Sequence, residues 1–314
     1  MIIEFSRNPL KQFAGVVWWN KGWILFFLLC STAAYVLHHI LGYTWVKLPV
    51  VPVSILGGAL AIFLGFRNSS AYDRWWEARK IWGAIVNDSR TFVMQLLTYS
   101  SSNGTPEDEK ELKIWQKEMV YRHIGWLYAL ASHLRKEKYC EELKEWLSEH
   151  DREPLEGKSN IPVQIIARQG IRVKHALNKK WIEDFRQYEL MNTLSKFYDD
   201  QGKAERIKNT VFPFYYNFFT RLFLRLFTIF LPFALVTEMD WAMIPISALI
   251  SFVFSILEKT GMITEVPFEG RAADTPLRTL CRGIEIDLRE MIDDENIPAP
   301  LDISVGKFGV TYRE

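Results

Sequence analysis

Scanned for apolar runs free of charge, the chain shows two pairs of apolar segments on either side of a long polar centre. The first run, Gly22 to Val46, lies between Lys21 and Lys47. A bilayer core is crossed by about 20 apolar helical residues, so this run spans unaided. The second run is Leu48 to Phe66, but Pro49 and Pro52 predict a helix beginning no earlier than about Val53. Roughly 20 Å of helix then remains before Arg67, too short to span alone. Such a helix makes sense if it lines a protein-walled passage and continues into the polar sequence beyond. The third run is Phe212 to Val236, interrupted by Arg221 and Arg225, and the fourth is Trp241 to Leu257. Only Thr237-Glu238-Met239-Asp240 separates these two, which predicts a tight helical hairpin.

The polar remainder is helical in period. Ile114, Val120, Ile124, Leu127, Leu130 and Leu134 form one broad face. Asn103-Gly104-Thr105-Pro106 opens that helix, with Glu107, Asp108 and Glu109 in its first turn. His150 to Pro162 is predicted as a loop, and no strand alternation or internal repeat stands out. The tail after Asn296 has turn residues and no helical period, so it is expected to run extended over the surface. The predicted fold is an all-α membrane protein whose four apolar segments are continuous with a helical cytoplasmic body. Four regions follow: 1–66 with the first two membrane helices, 67–210 as the cytoplasmic helical region, 211–257 as the third and fourth membrane helices, and 258–314 as cytoplasmic helices and tail.

Charge placement sets the orientation. The 237–240 link carries two acids and no base. Arg7, Lys11, Lys21, Arg67, Arg74, Arg79, Lys80, Lys203, Arg206 and Lys208 all flank the opposite ends. Positive charge is retained on the cytoplasmic side, so both termini and the polar centre are placed there, in a cell membrane such as the bacterial inner membrane. Trp18, Trp19, Trp23, Tyr43, Trp45, Tyr215, Tyr216 and Trp241 sit at run ends as interfacial anchors. No cleavable signal peptide is visible at the start.

Composition alone would have suggested a soluble protein, at 24% charged residues over 314 positions; the distribution decides otherwise. A net charge of +1 argues against a nucleic-acid partner. Cys30, Cys140 and Cys281 form no CxxC pair, which excludes the usual zinc patterns and a disulfide framework, and Cys30 is expected as a small buried hydrophobe. No phosphate loop, nucleophile elbow or HExxH is present, so no enzyme activity, cofactor or metal is predicted.

The densest signal is Phe66-Arg67-Asn68-Ser69-Ser70-Ala71-Tyr72-Asp73-Arg74-Trp75-Trp76-Glu77-Ala78-Arg79-Lys80-Ile81-Trp82-Gly83, following the Gly- and Ala-rich Ile55 to Gly65. It describes a helix leaving the membrane through a basic and aromatic headgroup level. Arg74–Glu77 and Glu77–Lys80 fall at i,i+3, and Trp75 and Trp82 share a face. This run resembles the signature of the bestrophins, the bacterial homologues in particular, through Arg67, Asn68, Tyr72, Arg74, Glu77, Arg79, Trp82 and Gly83. Phe230-Leu231-Pro232-Phe233-Ala234-Leu235, and Pro267-Phe268 with Gly270, Asp274 and Pro276, extend the likeness to roughly residues 10–295.

The resemblance implies a homopentameric channel for small ions, with an apolar neck in the membrane and a second constriction, the aperture, at the cytoplasmic end. Carried over, the neck falls at Gly58, Ile62 and Phe66, whose i,i+4 spacing gives one stripe, and the aperture at Phe185. Family members usually hold three bulky residues in the neck. Gly58 departs from that, leaving two rings, Ile62 and Phe66, or else lets helices pack closely. The family name suggests chloride and related anions; a monovalent-cation pore of the same architecture and a non-conducting scaffold are the alternatives. Animal members carry an acidic calcium clasp after the Pro-Phe motif. Here Glu265, Glu269 and Asp274 are separated, and calcium gating is not expected. Arg221 and Arg225 read as functional charges by position, or as snorkelling or subunit-pairing ones. His38-His39 reads as interfacial polarity, since neighbours in a helix point apart.

Overall fold

The computed structural model describes residues 2–4, 9–138, 143–210, 214–271, 273–305 and 311–312. Cys140, Arg7, Ala272 and the first residues of the third apolar run, 212–213, lie outside them.

Helix α1 (Pro9–Tyr35) starts well before the apolar run it was expected to match. Pro9 opens it, a position where a missing N–H costs nothing. A wider π turn at Val36–Ile40 and a 3-10 turn at Thr44–Val46 close this crossing. The second helix, α2 (Val50–Tyr99), is 50 residues long, about 75 Å of unbroken rod. It begins at Val50, earlier than the prolines suggested, because Pro52 falls in the first turn among the orphan N–H groups. Its continuation through Arg67 into polar sequence is as expected.

The polar centre is helical. Helix α3 (Pro106–Arg135) is capped by Thr105, whose Oγ1 accepts the Asp108 N–H at 3.3 Å. Two short turns, α4 (Leu143–Trp146) and α5 (Glu149–Arg152), precede a 3-10 turn at Glu153–Leu155. The segment predicted as loop from His150 is therefore partly helical, because Ser148 caps α5 through the Asp151 N–H. Helices α6 (Ile161–Asn178) and α7 (Asp184–Asn209) complete the region. The hairpin follows as predicted, α8 (Phe214–Leu235) and α9 (Met243–Thr264), and α10 (Leu277–Met291) returns to the body.

Among the described residues four helical stretches are long and apolar enough to cross a membrane: Phe13–Ile40, Thr44–Tyr99, Tyr215–Leu235 and Asp240–Thr264. Two cores divide along α2. In the membrane half, Val53, Leu60 and Leu64 pack on Leu224, Phe227 and Leu231 of α8. In the polar half, Ile81, Trp82, Ile85 and Phe92 join α3, α6, α7 and α10 in one large cluster. The body is thus a direct extension of the membrane helices. One addition concerns the chain ends: β1 (Ile2–Glu4), β2 (Ser304–Val305) and β3 (Thr311–Tyr312) form an antiparallel sheet ordered β1-β3-β2. Strands of two and three residues are too short to show alternation, and the tail expected as extended is what supplies two of them.

Candidate functional site

The membrane half of α2 has two faces. Val53, Gly57, Leu60, Leu64, Arg67 and Ala71 are buried against α8 and α9. The opposite stripe holds Gly58, Ile62 and Phe66, and it is bare in the single chain: Ile62 is 62% exposed and Phe66 65%. A Cβ on Gly58 would meet nothing within 4 Å, whereas one on Gly57 would lie 2.8 Å from Phe227 Cε2. Close helix packing within the chain therefore explains Gly57 and does not account for Gly58. The stripe continues as Ser69, Asp73 and Trp76, all exposed. Asp73, eleven residues and about three turns beyond Ile62, lies nearly in line with it.

Phe185 lies in the first turn of α7 and is 76% exposed. The neighbouring Arg186 donates from Nη1 to the Tyr99 carbonyl at 3.0 Å, which ties the start of α7 to the last residue of α2. Phe66 and Tyr99 are 33 residues apart on that rod, a rise of about 50 Å. The residues predicted for the two constrictions are thus separated by about two thirds of the length of α2.

The signature residues mostly fix α2 in place. Arg67 is 1% exposed and donates to Glu258 at 3.3 Å and Glu265 at 3.2 Å. Asn217 Nδ2 donates to the other Glu265 oxygen at 3.1 Å. A buried charge survives only with such partners, and these acids were missed in the sequence because no local spacing links them to Arg67. Asn68 donates to the Leu257 carbonyl at 3.0 Å, and its Oδ1 fills the space where Gly261 lacks a side chain. Arg74 does not pair with Glu77: it donates to the carbonyls of Ile207 (2.6 Å) and Thr210 (2.8 Å), closing the end of α7, while Glu77 pairs with Lys80 at 2.7 Å. Tyr72 lies along Trp75 and Trp76. Trp82 is fully buried in the body core, while Trp75 is half-buried and donates to the Ala273 carbonyl. Arg79 is half-buried, and a Cβ on Gly83 would meet nothing within 4 Å.

Around the Pro-Phe motif, Glu265, Glu269 and Asp274 each already have a protein partner. Glu265 holds Arg67, Glu269 takes Lys208 at 2.7 Å, and Asp274 Oδ2 accepts the N–H groups of Glu269 (2.9 Å) and Arg271 (3.0 Å). Lys208 pulls the Glu269 carboxyl below its usual range, and burial pushes that of Asp274 up. Among the described residues no three His, Cys, Asp or Glu side chains converge as a metal site would require. Cys30 is half-buried rather than fully enclosed, and Cys281 is buried. The expected interfacial aromatics, Trp18, Trp19, Trp23, Tyr43, Trp45, Tyr215, Tyr216 and Trp241, are all exposed. His39 Nε2 lies 3.0 Å from the Val236 carbonyl and so joins the end of α1 to the hairpin, with the His38 ring edge-on beside it.

This architecture, with the bare stripe on α2 and the Arg67 cluster behind it, has close counterparts. The profile of the family described as Bacterial/Fungal Bestrophin protein matches residues 21–290. The chain belongs to the bacterial and fungal bestrophins. Among its relatives, the voltage-dependent anion channel-forming protein YneE of Salmonella typhi is 32% identical over 254 residues, 81% of this chain and 80% of that one. The protein of the same name from Escherichia coli O157:H7 is 33% identical over 254 residues, again 81% and 80%. The crystal structure of a bacterial bestrophin homologue from Klebsiella pneumoniae superposes with a TM-score of 0.81 at 28% identity, covering 87% of this chain and 98% of that one. The bestrophin match takes in the first membrane-length helix from Lys21 onward and the other three whole, and stops short of the terminal sheet.

Proposed function

We propose that this bestrophin forms a homopentameric anion channel, not an enzyme, with the bare stripe of α2 facing the axis. The observation that carries the reading is the two-faced α2: one face is fully packed while Ile62 and Phe66 stand bare on the other. Lipid could cover two apolar side chains, but the stripe runs on into Ser69 and Asp73, which belong against water. Five copies of Ile62 and Phe66 make an apolar neck that gates by expelling water, since ions do not cross a dry constriction. Gly58 leaves the wider third level of that neck, and Phe185 forms the aperture at the far end of α2. The relatives named as voltage-dependent anion channel-forming proteins support anions, and chloride is the anion this reading takes first.

The protein sits in the cell membrane with both termini and the helical body in the cytoplasm, and its partners are permeant ions, lipid and further copies of itself. The four regions bounded at 66/67, 210/211 and 257/258 correspond to entry and neck, body, hairpin, and returning helix with tail.

A second reading, a monovalent-cation channel, is favoured by Asp73. It continues the stripe beyond Phe66 and has no ion-pair partner among the described residues, so five copies would place a ring of negative charge there. Bi-ionic reversal potentials of the purified protein in planar bilayers separate the two. Reversal near the chloride potential supports the first reading, and reversal near the potassium potential supports the second. Proteoliposomes that pass no ion would remove both in favour of a scaffold.

A further inference from the structure

Arg221 and Arg225 take no part in the pore described above. Both are exposed on α8, on a stripe with Phe218 and Ile229 roughly a third of a turn from the Leu224–Phe227–Leu231 ridge that packs on α2. Arg221 Nε donates to the Asn217 carbonyl at 3.1 Å, and among the described residues no acid pairs with either guanidinium. An ionisable side chain in a membrane helix is rare and normally has a partner.

Beside Arg225, an open groove of about 420 Å³ runs between α1 and α8, lined by Gly22, Trp23, Phe26, Arg225 and Ile229. Its walls are apolar apart from that one cation. The space at Gly22 is open, since a Cβ there would meet nothing within 4 Å. The groove opens at a belt of cations and indoles: Lys21 Nζ lies 4.0 Å over the Trp18 ring, and Lys259 Nζ donates to Trp19 O and Asn20 Oδ1, each at 3.1 Å. Such a belt marks the headgroup level. Phe26 and Ile229 each lie one turn deeper than Gly22 and Arg225, toward the bilayer interior.

We infer that this groove binds an anionic glycerophospholipid, its phosphate held by Arg225 and Arg221 and an acyl chain laid against Phe26 and Ile229. The two arginines rise about 6 Å apart on one face, near enough to grip one headgroup from two sides. A guanidinium fork matches phosphate oxygens in plane and in number. The remaining charge of an anionic headgroup meets Lys21 at the same level. Nothing in this site depends on conduction, so it stands or falls separately from the channel reading.

Native mass spectrometry of the detergent-purified protein, incubated with phosphatidylglycerol or phosphatidylcholine, tests it. Phosphatidylglycerol should be retained preferentially. Arg221→Gln/Arg225→Gln, and separately Gly22→Leu, should each lower its retention, the double variant by about tenfold or more. Arg221→Lys/Arg225→Lys keeps the charge and should keep most of the binding. Millimolar glycerol phosphate should not compete; if it displaces the lipid, the site is for soluble phosphate and the proposal fails. It also fails if both lipids are retained equally. A change in oligomer mass in the Gln variant, with lipid per chain unaltered, would assign the arginines to a subunit seam instead.

Discussion

Arg67 and Glu265 meet across the seam between α2 and the end of α9, Nη2 to Oε2 at 3.2 Å, with the arginine fully buried one residue after the exposed Phe66. Glu258 completes the pairing from one helical approach and Asn217 from another. The exposed Phe66 and the buried Arg67 that locks the helix are thus adjacent in sequence and about 100° apart around α2. Removing the guanidinium leaves two carboxylates facing each other out of water. Arg67→Met should destabilise the protein by about 3–5 kcal/mol. Glu258→Gln/Glu265→Gln in the same background should recover part of that. Thermal melts of the three detergent-purified proteins check it; a wild-type melting temperature for Arg67→Met would show that the cluster contributes nothing to stability.

The adjacent glycines Gly57 and Gly58 should respond in opposite ways. Ala at 57 puts a methyl 2.8 Å from the Phe227 ring inside the α2–α8 core, and overpacking of this kind costs about 1–3 kcal/mol. Ala at 58 meets nothing within the chain and gains helix propensity, up to about 1 kcal/mol. Gly57→Ala should lower the melting temperature and Gly58→Ala should not. Equal losses at both would mean that the stripe bearing Gly58 is packed as tightly as its reverse face.

The body carries a pH dependence of its own. His123 is buried among Phe92, Trp126 and Phe197, with Ser89 Oγ 2.9 Å from Nε2. Burial holds its pKa down at about 3, from an ordinary 6.5. Between these values the unfolded chain binds the proton and the folded chain does not. The stability from the neutral ring is thus complete above pH 6.5 and declines as pH falls toward 3, by about 1.4 kcal/mol per unit. His123→Phe should flatten the fall in melting temperature between pH 6.5 and 4.5. A profile unchanged by that substitution would place the acid sensitivity elsewhere.

What the sequence conveyed, and what it did not, follows from the range of each interaction. Helix α3 was legible because a cap, an acidic first turn and a periodic face all lie within 30 residues of chain. The continuation of α2 past Arg67 was legible because the apolar part alone was too short to be stable in a membrane. The two-faced character of its membrane half was visible in the i,i+4 stripe, but not which face would pack. Only α8 and α9 decide that, by burying Gly57 and Leu64. The partners of Arg67 were not legible, since Glu258 and Glu265 stand 191 and 198 residues away. Arg74 follows the same rule: Glu77 lies at i+3, but the guanidinium goes to the distant carbonyls of Ile207 and Thr210.

The neck itself gives the most direct test of function. If Ile62 and Phe66 face the axis of a pentamer, Phe66→Ala removes a ring of bulky apolar side chains and leaves the packed face of α2 untouched. Water should then persist in the constriction, and single-channel current should rise. Reversal potential should change little, because neither residue carries charge. Gly58→Ile should act in the opposite sense, adding a third apolar level and lowering conductance, with no steric cost inside the subunit. Were these side chains instead buried against a neighbouring helix in the assembly, Phe66→Ala would open a cavity and cost about 3–5 kcal/mol. It would then loosen the oligomer and leave the current of intact channels as it was. Recording from pentamers verified by light scattering distinguishes the outcomes. Unaltered conductance and open probability in Phe66→Ala would exclude Phe66 as a constriction and return the stripe to lipid or protein contact.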